Sequence, residues 1–231
     1  MINQLADESE GVTRISFDAK ANINIGPFSR GGYSRLLKAP IADDHDQHWD
    51  ATLVPLGIYE LTTDNFFLVF GNSKETSDFI VDGLELWWSE RQFMPLNQYD
   101  LLMIDMDNGK SVAGNTKRFL QRIVDFAKKI KMPIQLVYYP PYHSKYNPVE
   151  RLWAALENYW KPLILDTVAN TIKIAEQMLW KGINPIVRFI DRVYEKAVAV
   201  TSDELKELDK FICRNPILKK WDIRINHTES G

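Results

Sequence analysis

Up to about residue 71 the chain is written in short β-rich segments, and from there it alternates between helical and extended spacing. VTRISFDA (12–19), NINIGPF (22–28), ATLVPLGIYEL (51–61) and NFFLVFG (65–71) are rich in β-branched and aromatic residues and are separated by Gly, Pro and Asp. A helix follows over 76–92, with Phe79, Ile80, Leu84, Trp87 and Trp88 on one side and Gly83 as a weak point. Next come a strand, YDLLMIDMD (99–107), an amphipathic helix near 115–131 carrying Phe119, Leu120, Ile123, Val124 and Ala127, and a second strand, IQLVYYP (134–140). That order predicts an α/β fold, a mixed sheet with helices on its faces. Segments 166–180, 186–200 and 202–213 have helical spacing, the last opened by a Thr201/Glu204 capping box. The expected division is a core over 1–165 and a helical extension over 166–231 packed on it.

A chain of 231 residues, 45% of them apolar, can bury a sizeable core. Its single cysteine, Cys213, excludes an internal disulfide and a cysteine-rich zinc site and fits a reducing compartment. The acidic start lacks the order of a signal peptide, and no apolar run reaches the length of a membrane span. The expectation is therefore a cytoplasmic protein without a membrane partner.

A net charge of −3 argues against a coat of DNA-binding charge, but the distribution is uneven. Between Lys110 and Lys131 lie seven basic residues, including Lys117, Arg118 and Arg122, against one acid, Asp125. A solvated helix face and a DNA contact explain that stretch equally well.

Three acids occupy related places. Asp18 ends the first strand, Asp107 ends a later one, and Glu150 falls in the first turn of the helix that begins in YYPPYHSKYNPVERLW (138–153). Like charges brought together raise one another's pKa unless cations neutralise them, and oxygen ligands of this kind suit Mg²⁺ or Mn²⁺. Two such ions can serve phosphoryl transfer. Each acid also has a structural reading: Asp18 as a turn residue, Asp107-Asn108-Gly109 as a tight turn, and Glu150 as the capping-box partner of Asn147 with Pro148 at the first helical position. Asp105, two residues before Asp107, shares its strand face and is an alternative ligand.

The stretches ISFDAKANINIGPFSRGG (15–32), MDNG (106–109) and YYPPYHSKYNPVERLW (138–153), with WKGINP (180–185), resemble the DDE transposase domain of ISAzo-type, or Rhodopirellula-type, insertion sequences, within the mariner-like group. The resemblance runs from about residue 12 to the end of the chain and implies an RNase H-like fold. It also implies that Asp18, Asp107 and Glu150 bind two divalent metal ions, Mg²⁺ or Mn²⁺, and catalyse DNA strand cleavage and joining. The implied partner is DNA, both transposon ends and target, with a homo-oligomer forming on it. Full-length relatives begin with a helix-turn-helix region, for which the eighteenth residue leaves no room. Where such domains continue Asp-Asn-Gly with Pro-Glu-Asn, this chain reads DNGKSVAGN.

Lys20, Arg30, Arg35 and Lys38 follow the first acid closely and are candidates for phosphate contact, with Gly31 and Gly32 letting the backbone approach DNA. Lys110, Lys117, His143 and Lys145 are the other candidates, His143 and Lys145 because a cation beside Glu150 steadies a scissile phosphate. The Asp/His cluster over 43–50 lacks metal-ligand spacing, and the tryptophans at helical spacing read as core. Three functions compete: a metal-dependent strand transferase, a non-catalytic remnant that binds DNA or a partner, and an RNase H-like nuclease.

Overall fold

The computed structural model describes residues 6–7, 9, 11–33, 42, 49–91, 99–140, 146–196 and 198–229. Its strands are β1 (Val12–Ala19), β2 (Ile23–Ile25), β3 (Ala51–Glu60), β4 (Asn65–Gly71), β5 (Leu101–Asp107), β6 (Ile134–Tyr139), β7 (Ile186–Ile190), β8 (Ile212–Arg214) and β9 (Asp222–Ile225). The helices are α1 (Ser77–Glu90), α2 (Lys117–Ile130), α3 (Val149–Trp160), α4 (Val168–Glu176) and α5 (Ser202–Asp209).

All the strands join one mixed sheet in the order β7-β4-β3-β1-β5-β6-β9-β8, with β2 added on β3. β3 pairs antiparallel with β1 and with β4, while β1–β5, β5–β6 and β4–β7 are parallel. It follows that β1, β4, β5, β6 and β7 all point the same way, and their C-terminal ends reach one edge of the sheet. In sheets of this kind, ligand sites collect where parallel strands end and loops begin.

Alternation along the strands sorts side chains onto two faces. On one, Ile15 and Phe17 of β1, Ile104 and Met106 of β5, and Leu56 and Ile58 of β3 pack with Phe79, Leu84 and Trp87 of α1 and Phe119, Ile123 and Phe126 of α2. On the other, Leu53, Phe66, Leu68 and Phe70 pack against Val149, Leu152, Trp153 and Leu156 of α3 and Ile174 and Ala175 of α4. Gly83, a weak point by helix propensity, has a packing reason: a Cβ there would stand 2.5 Å from Leu56 Cδ2. Of the tryptophans expected in the core, Trp87, Trp153 and Trp160 are buried, whereas Trp88 and Trp180 are half-buried at its margin.

The C-terminal part departs from the expected run of helices. Residues 186–190 form β7, paired parallel with β4, and the helix expected over 202–213 ends at Asp209, giving way to β8 and β9, which extend the sheet beyond β6. Ile186, Val187 and Ile190 suit either spacing locally, and pairing with a distant strand decides between them. The capping box at the start of α5 is present, Thr201 accepting from Glu204 N–H and Glu204 accepting from Thr201 N–H.

Candidate active site

β1 delivers Asp18 and β5 delivers Asp107 to the edge where the parallel strands end. Their ladder pairs Ser16 with Asp105, so two residues further along each strand Asp18 stands beside Asp107. Arg14, Ser16, Asp18, Asp105 and Asp107 therefore share the face on which α3 lies.

The start of α3 is held from β1. Ser16 Oγ accepts a 3.0 Å bond from Val149 N–H and donates to Asn147 Oδ1, while Asn147 Nδ2 donates to Phe17 O at 3.2 Å. Ser16 and Asn147 are buried. The expected capping role of Asn147 is thus corrected: its side chain crosses to β1, and the helix amide finds its acceptor in Ser16 instead. Glu150 does not close a capping box, since the N-cap residue, Pro148, makes no side-chain cap bond of its own and has no amide N–H to offer. Its half-buried carboxylate is left beside the strand-end acids.

Electrostatics tie the three together. Burial, then the charges of Glu150, Asp107 and Glu75, push Asp18 from 3.8 up to about 7. Asp107 is raised by burial. Glu150 is raised by burial and by Asp107 and Glu157, against the pull of Lys20. Such a set fits a divalent cation in charge and donor chemistry, because oxygen ligands whose anionic forms are mutually penalised gain most from a cation. Among the described residues, however, no three Asp, Glu, His or Cys side chains are drawn together tightly enough to grip an ion as they stand.

Asp105 has a different environment from Asp107. It is fully buried, and its Oδ2 accepts from Arg14 Nε at 2.8 Å and Nη2 at 2.6 Å, with Asp7 also accepting from Arg14. Tyr139 O–H donates to the same oxygen at 3.4 Å. Burial pushes Asp105 up to about 6 despite Arg14.

The candidate DNA contacts part company. Lys20 lies against α3, paired with Glu157 at 2.7 Å and 5.8 Å above the Trp153 ring, so Glu150, Trp153 and Glu157 form a stripe along which it runs. Arg30 turns inward, donating to Asn24 O and stacking 5.1 Å over Phe28. Gly32, expected to admit a DNA backbone, instead admits the chain's own: a Cβ would stand 2.5 Å from the Lys161 carbonyl carbon. Arg35, Lys38, His143, Lys145 and most of the Asp/His cluster over 43–50 lie outside the described residues.

Much of the basic run along α2 serves packing between helices. Arg118 pairs with Asp78, Arg122 with Asp78, Asp82 and Glu85, and Lys129 with Glu85, while Lys128 sits 3.7 Å over the Phe211 ring. Lys110 and Lys117 are exposed at the strand-end edge and take part in no ion pair among the described residues. Glu75, absent from the sequence reading, is the further acid that acts on Asp18. Its signal was topological, since β4 ends at the same edge as β1.

An α/β domain whose central parallel strands and one helix start carry acids to a single edge is the class this geometry defines. Residues 1–227 match the family model described as the Rhodopirellula transposase DDE domain, and the chain belongs to that family. No curated protein matches it. Among solved structures, the Mos1 strand transfer complex is similar at 8% identity and a TM-score of 0.46, over 74% of this chain and 48% of that one. The chain thus spans about half the length of that structure's chain. No helix among the described residues is long and apolar enough to cross a membrane.

Proposed function

We propose that the chain is the catalytic domain of a DNA transposase, cleaving and joining DNA strands with Asp18, Asp107 and Glu150. The observation that carries this reading is the convergence of these acids on one sheet edge, from β1, β5 and the first turn of α3, where Glu150 and Asp107 both raise Asp18. The three would hold Mg²⁺ or Mn²⁺, two ions by the family's pattern, which when bound activate an attacking oxygen and stabilise the leaving oxygen of a phosphodiester.

The chain's own residues supply placement. Ser16 and Asn147 lock the helix carrying Glu150 onto the strand carrying Asp18. Trp153, buried against Phe66 with ring centroids 5.9 Å apart, stops the helix from rolling. Arg14 retains Asp105 below the edge, which favours Asp107 as the second ligand. Lys20 offsets the charge of Glu150 and Glu157 from the side of β1. In the joining step a 3′ hydroxyl gives up its proton to solvent as its oxygen attacks phosphorus, the bond to the leaving oxygen breaks, and that oxygen takes a proton from solvent. DNA is the substrate, and assembly as a homo-oligomer on DNA belongs to the same reading.

The test is incubation of the purified chain with nicked and blunt duplexes in Mg²⁺ or Mn²⁺. Expected are nicked or joined products that vanish with chelator and in Asp18→Asn, Asp107→Asn and Glu150→Gln. Joining of a 3′-OH end distinguishes strand transfer from plain hydrolysis. Products that persist in all three variants would remove the assigned roles.

A further inference from the structure

At the edge that carries the acids there is a second feature, a cavity of about 920 Å³ walled by the segments that follow β1, β4, β5 and β7. Each wall follows a strand pointing the same way as β1, so the cavity opens at the same sheet edge as the acids, on the side of α1 and α2. Glu75, one of its lining residues, also raises the pKa of Asp18. Four exposed lysines line it, Lys74 after β4, Lys110 after β5, Lys117 at the start of α2 and Lys196 after β7. None of the four is in an ion pair among the described residues, whereas Arg118 beside them is spent on Asp78.

The walls are firm on one side. Ser77 Oγ donates to Ser111 O at 2.6 Å and Ser111 Oγ donates to Glu75 O at 3.4 Å, lacing the β4–α1 and β5–α2 loops together. Thr116 Oγ1 donates to Lys110 O at 2.8 Å, fixing the backbone from which Lys110 projects. Across the cavity, Val198 and Val200 supply apolar surface. Unpaired lysines converging on one concavity from three separate segments, after β4, β5 and β7, outnumber the acids Glu75 and Glu195 that share its lining and favour a polyanion, and the apolar wall suits sugars and bases more than a compact inorganic anion.

We infer that this cavity is a track for one DNA strand leaving the acid edge, its phosphates held by Lys74, Lys110, Lys117 and Lys196. The inference rests on the proposed function for the identity of the polyanion, and it adds Lys74 and Lys196, on elements distant in sequence, to the substrate contacts. The strand runs from the acids over the sheet edge toward the starts of α1 and α2.

The test uses a labelled single-stranded oligodeoxynucleotide with the full chain, in chelator so that no chemistry occurs. Lysine acetylation read by mass spectrometry should show Lys74, Lys110, Lys117 and Lys196 protected by the oligonucleotide, with Lys173 on α4 unprotected. In anisotropy titrations, Lys74→Ala/Lys196→Ala should weaken binding about tenfold and lower the slope of log affinity against log salt by about 0.7 for each lysine removed. Lys173→Ala should change neither. Equal acetylation with and without the oligonucleotide, or an unchanged slope in the double variant, overturns the track. DNA cleavage without lysine protection would sink the track and leave the catalytic reading standing, and protection without cleavage in metal would do the reverse.

Discussion

β1 presents two unlike faces, one given to the apolar core and one to the candidate site, and the contrast separates what each position of the strand has to satisfy. Ile15 and Phe17 are buried among apolar side chains from α1 and α2, where any well-packed residue of similar volume would do. Arg14, Ser16 and Asp18, on the alternate positions, meet a buried acid, a helix start and a cluster of like charges. The apolar face tolerates substitution that preserves volume, whereas each polar position answers to one specific partner. The polar residues of the candidate site are thus concentrated on the face of β1 that contributes least to the hydrophobic core.

The contrast breaks most sharply at the acids. Asp18→Asn should lower strand cleavage by about 10³-fold or more while the chain stays folded, because groups that act as a unit fail together. Activity assays beside circular dichroism check this, and a comparable loss from Phe17→Leu with the fold intact would erase the distinction. Next in size is Arg14→Ala, which leaves Asp105 buried without its cation and should cost about 3–5 kcal/mol in urea denaturation. Ser16→Ala removes the α3 cap and an Asn147 partner together, for about 2 kcal/mol. On the apolar side of α3, Gly57→Ala would push a Cβ to 2.7 Å from Trp153 Cζ2, and overpacking there should cost about 1–3 kcal/mol.

The smallest effect is in pH. Asp18 titrates near 7 in the fold against 3.8 ordinarily, so between those values the folded chain keeps a proton that the unfolded chain has lost. Stability from this group therefore falls as pH rises through that window, and the whole penalty is present above it. Asp18→Asn should flatten the fall and raise Tm at pH 8 by a few degrees. Mn²⁺ should raise the Tm of the unaltered chain more at pH 8 than at pH 5, and equal shifts at both would count against the acids as its ligands.

Much of this was legible in the chain itself. The strands and helices up to residue 160 announce themselves by period, and the acids by their places at element ends. What stayed hidden depends on partners far away. Ser16 caps a helix 133 residues later, which no local pattern can show. The segment 186–190 has apolar residues fitting either period, and only its pairing with β4 makes it a strand. The basic run on α2 is a different case, because Asp78, Asp82 and Glu85 lie at helical spacing on α1 and could have been matched to Arg118 and Arg122 as a complementary pair of faces.

The Ser16–Asn147 clasp carries a mechanical consequence. It joins a point two residues before Asp18 to a point three residues before Glu150, so those carboxylates shift as one rigid jaw. Any tightening around a cation must then come from β5, whose last residue, Asp107, is still paired with Tyr139 of β6, so that its side chain and not its backbone has to close the gap.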